Sequence, residues 1–422
     1  MKILWIVNTI FPYPASKIGQ DNCCFGGWLN GLANKLKNNK EVELAIATVY
    51  NGKEVKKYDD GNIVYYLIPG APAIKYSLKM EKYWKIINDE FKPELVHLHG
   101  TEYAHGLAFK NACPSVKTVT SIQGLTSAIS KVYYAGLHTS EILKNVTFRD
   151  IIKQDNIFQQ KKKFTKRGKN EIELIKKTDA IIGRTIWDYA NTKAINANEK
   201  YFVGNETLRD KFYNKEWNLS NVEKHSIFTS QANYPIKGLH YLLKAIYLLK
   251  QNYPDVKLYI AGDNIIDTST FTRKIKINGY AKIIKKLIKK YNLEEQVNFT
   301  GILSEEKMID QYLKSSVFVL PSAIENSSNS LGEAMLLGMP CVATNTGGTM
   351  DILEHKKEGF LYSYTEPVMC AYYISKYFED DKLCIEYGEN ARKKALNRHN
   401  PENNTNQIIK IYNEIIGEKK WR

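Results

Sequence analysis

Short apolar runs of β-forming residues recur along the chain, each followed by a polar or glycine-bearing turn and then by apolar positions at helical spacing. In the first half, residues 3–7, 42–49, 63–68, 95–98, 116–121, 180–183 and 201–203 read as strands, and residues 78–91 as a helix. In the second half, strands over 227–230, 256–261, 297–300, 317–320 and 339–344 alternate with helices over 239–250, 280–291 and 305–315. Runs so uniformly apolar suit parallel strands covered on both faces. Their alternation with helices, twice over, predicts an α/β chain of two doubly wound, Rossmann-like domains. Polar, weakly periodic residues 205–223 interrupt the series, which gives domains over 1–210 and 211–400 and an amphipathic helix within 401–422. Between the two series, residues 140–177 read as helical and basic.

Composition sharpens this picture. With 422 residues the chain is too long for one ordinary core. A net charge of +15 calls for an anionic partner: nucleic acid, a membrane surface or a phosphorylated substrate. The basic residues come without the stacking aromatics of a recognised module, so no nucleic acid is expected. Lys161, Lys162, Lys163, Lys166, Arg167 and Lys169 form either a solvated helix face or a surface for anionic lipid headgroups. The six cysteines show no C-x-x-C pair and read as buried free thiols of a reducing cytosol. The first apolar run stops at Asn8, too short for a signal peptide, and no stretch reaches the roughly eighteen apolar residues of a membrane span. The expected location is cytoplasmic, with a peripheral place at the inner face of the plasma membrane.

Candidate chemistry gathers between Ser316 and Gly348, which reads as one βαβ unit. Pro321 ends its strand, Ser330 caps a helix that begins at Leu331 and stops at Gly338, and Glu325 and Glu333 lie at the carboxyl mouth of the sheet. Ligands bind at that mouth in open parallel sheets, and a helix N-terminus there favours phosphate. The alternative for Glu333 is a capping box with Ser330. A second motif, Asn233 to His240, sets Lys237 before Gly238 in a turn that leads to a helix, where an ammonium can meet a phosphate. Gly26 and Gly27 open a helix after the first strand and permit close backbone approach. His97 and His99 share one side of their strand, and His99, at its end, is either a hydrogen-bonded structural residue or a ligand contact.

The two glutamates with seven residues between them, the glycine pair Gly347-Gly348 and the Lys237-Gly238 turn together resemble the E-x7-E segment and K-G motif of the retaining GT-B glycosyltransferases called family 4, or glycosyl transferases group 1. The resemblance implies two Rossmann-like domains facing a cleft, a final helix crossing back to the first domain, and transfer of a hexose from a nucleoside diphosphate sugar with retention. UDP is the commoner donor in such families and GDP the next; the acceptor would be a saccharide or polyprenyl-linked molecule of surface polysaccharide synthesis. It further implies that Lys237 contacts the diphosphate, Glu333 the ribose and Glu325 the donor sugar, with His99 approaching the sugar or its phosphate. Backbone amides around Gly26, Gly27, Ser328, Asn329, Ser330 and Leu331 would add to the phosphate cradle. The family's arginine about five residues before the lysine is replaced here by Ser230 to Asn233, and its Gly-Phe-Gly after the first glutamate by Asn326 to Ser328. No Asp-x-Asp motif stands at a strand end, so neither a metal nor another cofactor is expected. A sugar-nucleotide 2-epimerase of the same fold and a non-catalytic nucleotide-sugar-binding scaffold remain as alternatives.

Overall fold

The structure is a computed structural model that describes residues 1–20, 27–70 and 76–417. The chain divides into two units. Residues from 1 to 129, 164 to 209 and 399 onward form the first, and residues 130 to 163 and 210 to 398 the second.

The first unit is built on an eight-stranded sheet. Its strands are β1 (Lys2–Ile6), β2 (Glu43–Tyr50), β3 (Lys56–Asp59), β4 (Ile63–Pro69), β5 (Leu95–His99), β6 (Thr118–Ser121), β7 (Ala180–Gly183) and β8 (Lys200–Val203). They stand in the order β3-β4-β2-β1-β5-β6-β7-β8, all parallel except β3, which runs antiparallel to β4. The chain works outward from β1 in one direction and from β5 in the other, so the winding reverses between β1 and β5. β1 shows why the strands are apolar throughout. Ile3 and Trp5 pack into one cluster with Leu44 and Ile46, whereas Leu4 and Ile6 face the opposite layer with Trp84 and Phe109. The C-terminal helix Pro401–Gly417 belongs to this unit, and its Tyr412 hydroxyl accepts a hydrogen bond from Trp5 Nε1 at 3.0 Å.

The second unit carries a six-stranded, wholly parallel sheet of β9 (Glu223–Thr229), β10 (Lys257–Ala261), β11 (Val297–Gly301), β12 (Ser315–Leu320), β13 (Cys341–Thr344) and β14 (Phe360–Tyr362). The order β11-β10-β9-β12-β13-β14 puts the reversal between β9 and β12. The stretch 140–177, expected to be helical and basic, is helical. Three helices occupy that stretch: Thr139–Lys144, Phe148–Lys153 and Ile157–Lys177. Thr147 and Asp150 form a capping box that starts the middle helix, and Gln154 in left-handed conformation ends it.

Residues 130–163 pack on the second unit through polar contacts that local sequence does not announce. His240 Nε2 donates to the Ala135 carbonyl at 2.8 Å, which leaves Nδ1 to accept from the Tyr280 hydroxyl at 3.1 Å. Asp150, fully buried, accepts from the Gly279 amide at 2.8 Å.

Candidate active site

At the reversal point of the second sheet, the turns leaving β9 and β12 meet. Lys237 ends a short 3-10 turn, Pro235–Lys237, and Glu325 lies in the loop after β12. Their side chains form an ion pair, Nζ to Oε1 2.7 Å, with 19% and 15% of the side chains exposed. Burial opposes the charge on the Lys237 ammonium, but Glu325 and Tyr234 outweigh it and hold the pKa above the usual lysine value. The lysine is therefore fully cationic at neutral pH.

Close backbone approach explains the glycines. Gly238, at φ 72°, has no room for a side chain, since a Cβ would fall 1.8 Å from the Pro321 carbonyl oxygen. The Ala323 amide donates to the Ile236 carbonyl at 2.8 Å, which fastens the two turns together. Gly347, at φ 57°, plays the same part on the other side: a Cβ there would lie 1.9 Å from the Glu325 carbonyl oxygen, and the Gly348 amide donates to that oxygen at 2.9 Å. Three loops, after β9, β12 and β13, thus fix the backbone around Lys237 and Glu325.

The helix after Glu325 runs Asn329–Leu336 and is capped by Ser328, not by Ser330 as the sequence suggests. Ser328 Oγ accepts from the Leu331 amide at 3.4 Å and lies 3.0 Å from Ser330 Oγ, while the Ser330 carbonyl accepts from the Tyr312 hydroxyl at 3.0 Å. That shift removes the Ser330–Glu333 capping box, because Glu333 now stands in the helix's second turn, 6% exposed. It also ties the Leu331 amide to the cap, so the amides outside the helical ladder at this end are those of Asn329 and Ser330. Two further hydroxyls, Ser322 Oγ in the loop after β12 and Thr349 Oγ1 at the start of the short helix Thr349–Ile352, are buried without a hydrogen-bond partner. A lone serine or threonine carries no sequence signal of such isolation.

His99 belongs to the first unit, at the end of β5. Its ring stacks on His97 at 3.7 Å between centroids and meets the edge of Trp5 at 4.5 Å. His97 is satisfied: the Tyr412 hydroxyl, which accepts from Trp5, donates to Nδ1 at 2.5 Å, and Nε2 donates to Ser121 Oγ at 2.6 Å. His99 has no hydrogen-bond partner at either nitrogen. Burial, with His97 beside it, pushes its pKa well below the ordinary value, so the ring is neutral. It lines a cavity of about 20 Å³, the room of one water, shared with Asn205 and Thr207, whose side-chain oxygens likewise lack a partner. Gly27 is the first residue of the helix Gly27–Leu36, and Gly26 lies outside the described residues. In the basic run, Lys161 lies over the Tyr134 ring at 4.3 Å, Lys163 pairs with Asp155 at 2.8 Å, and Arg167 donates to the Glu102 carbonyl at 2.8 Å; Lys162, Lys166 and Lys169 are exposed. Among the described residues no three His, Cys, Asp or Glu side chains are grouped to hold a metal ion, and no helix is long and apolar enough to cross a membrane.

Two doubly wound units, with a lysine–glutamate pair and a helix N-terminus at the reversal point of the second sheet, are the makings of a GT-B glycosyltransferase, and comparison with known proteins agrees. Sucrose-phosphate synthase from Thermosynechococcus elongatus superposes with a TM-score of 0.71 over 99% of both chains at 15% identity. Anabaena HepE in complex with UDP-glucose superposes with a TM-score of 0.66 over 98% of this chain and 100% of that one, at 18% identity. In sequence, a putative glycosyltransferase of Bacillus subtilis, YtcC, is 23% identical over 404 residues, covering 93% of this chain and 87% of that protein. The chain is a glycosyltransferase of GT-B fold. Its residues 210–394 match the family model described as Glycosyl transferases group 1.

Proposed function

We propose that the chain transfers a hexose, with retention, from a nucleoside diphosphate sugar to a saccharide or polyprenyl-linked acceptor in surface polysaccharide synthesis, UDP being the favoured nucleotide and GDP the next. The observation that carries this reading is the Lys237–Glu325 pair, 2.7 Å apart at the mouth between β9 and β12 beside the N-terminus of the helix Asn329–Leu336. A ligand diphosphate there meets one ammonium and the amides of Asn329 and Ser330, all oriented before it arrives. Lys237 balances charge on the diphosphate as the glycosidic bond breaks. Glu325, freed from the lysine, faces the donor sugar, and Glu333 accepts hydrogen bonds from the ribose hydroxyls. The departing phosphate takes the acceptor's proton on the same face, so no second carboxylate is needed. Positive charge comes from the lysine and the helix end, and the reaction proceeds without a metal. The HepE structure with UDP-glucose supports the choice of nucleotide.

The test is a thermal-shift screen of the folded protein against UDP, GDP, ADP and CMP with EDTA present. Ligand at a hundredfold excess over its dissociation constant adds about 2.7 kcal/mol of stability. The expected result is a rise with UDP that disappears in Lys237→Ala and in Glu333→Ala, together with turnover of a UDP-sugar that persists in EDTA. A chain that shifts with no nucleotide overturns the proposal.

A further inference from the structure

Two short helices of the second unit present apolar side chains that neither the core nor the candidate active site uses. Phe148, Ile151 and Ile152 follow the i, i+3, i+4 spacing of one helical face and are exposed by 72%, 64% and 62%. The orientation is fixed from behind, where Asp150 is buried on the opposite face of the same helix, Phe148–Lys153, and holds the Gly279 amide. The helix Phe271–Lys276 lies against it and exposes Phe271 by 77% and Ile275 by 47%. Leu143, on the preceding helix, adds another exposed side chain. Scattered exposed apolar residues need no explanation, but six brought onto neighbouring helices mark a surface that something covers.

Charge selects what covers it. Lys144, Lys153, Lys274 and Lys276 stand exposed among these residues. The nearby acids are spent internally: Asp155 pairs with Arg149 and Lys163, Asp267 pairs with Arg273, and Asp150 is buried. Only Glu141 remains on the first of the three helices. A second copy of the chain would set lysines against lysines. An anionic bilayer offers an apolar boundary for the rings and phosphates for the ammonium groups at the same depth.

We infer that the helices Phe148–Lys153 and Phe271–Lys276 form a docking surface for an anionic lipid bilayer, with Phe148 and Phe271 as the inserted anchors. None of Lys162, Lys166 and Lys169 of the long helix is needed for this surface, which does not rest on the glycosyl-transfer reading. Co-sedimentation with phosphatidylcholine vesicles, with and without phosphatidylglycerol, tests it. The expected result is retention only on the anionic vesicles, weakened by salt. Removing two anchors in Phe148→Ser/Phe271→Ser should weaken binding by about tenfold or more. The charge variant Lys274→Glu/Lys276→Glu should weaken it too, and Lys162→Ala/Lys166→Ala/Lys169→Ala should bind as the parent does. Because Phe148 and Phe271 are exposed, an unchanged melting temperature accompanies the first variant. No retention on anionic vesicles, retention indifferent to the anchors, or a dimer in light scattering that the anchor variant dissolves would each overturn the inference. Nucleotide-induced stabilisation in the same preparations reports separately on the active site.

Discussion

Lys237 and Glu325 are 88 residues apart in sequence and 2.7 Å apart in space, and each blocks the other. A diphosphate that takes the lysine must displace the glutamate and approach its negative charge. Neutralising the carboxylate in Glu325→Gln should therefore tighten UDP binding by about three- to tenfold, while sugar transfer falls by about 10²–10³-fold. Titration calorimetry and turnover measure the two effects; weaker UDP binding in this variant would remove Lys237 from the diphosphate site. Each residue is legible alone, but nothing local couples a turn at 237 to a loop at 325. The cap at Ser328 was equally hidden, because two serines two positions apart look alike until the Tyr312 hydroxyl fastens the Ser330 carbonyl inside the helix. Glu102 stands just beyond the carboxyl end of β5, as the sequence places it, but its protonation carries no local signal. Burial first, then the charge of Glu171, push its carboxyl up to about 7, and Oε2 has no partner. The native state then keeps a proton that the unfolded chain loses above about 4.5, so stability falls as pH rises from there to about 7 and stays lower beyond. Glu102→Gln should raise the melting temperature at pH 8 by about 2–4 °C per kcal/mol regained and leave it unchanged near pH 4.

At the scale of elements, the strands were readable because a sheet buried on both faces demands unbroken apolar runs. β3 was not, since Lys56-Lys57-Tyr58-Asp59 is polar, and a short charged strand is what a sheet edge tolerates. The glycines that bind the loops together give the sharpest test. Gly347→Ala would force a Cβ into the Glu325 carbonyl and a left-handed backbone on alanine. It should cost about 1–3 kcal/mol and lower transfer more than any exposed substitution, as denaturation and turnover will show. The docking of residues 130–163 also depends on few groups. His240→Ala leaves the Ala135 carbonyl and the Tyr280 hydroxyl without their partner, at about 1–3 kcal/mol each. Protease cleavage within residues 130–163 should then rise well before global unfolding; unchanged cleavage would mean that the segment is held by other contacts.

At the scale of the whole molecule, the alternation of strands and helices reveals two Rossmann-like units, while the excursion of 130–163 rests on buried polar contacts that no periodicity encodes. The same burial distributes titratable groups unevenly. Burial lowers His97 to about 3 and His105 to about 4, and His99 well below its usual value, all in the first unit; in the second, burial lowers His240 to about 4. Each stays neutral in the native state while the unfolded chain takes up a proton below about 6.5, so its contribution is full above that pH and is lost as pH falls toward 4 and below. Every such proton costs about 1.4 kcal/mol per pH unit. Burial holds the carboxyls of Glu102 and Glu199 above the usual value, which works in the opposite direction in the first unit, while burial lowers His355 as well as His240 in the second. Calorimetry at pH 7.5 and pH 5 should show the transitions of both units moving down in temperature. The second unit's transition is recognised by its response to UDP, and His105→Gln should shrink the first unit's shift. If neither transition moves, or His105→Gln leaves the first unit's shift unchanged, the buried histidines do not set the acid stability of this chain.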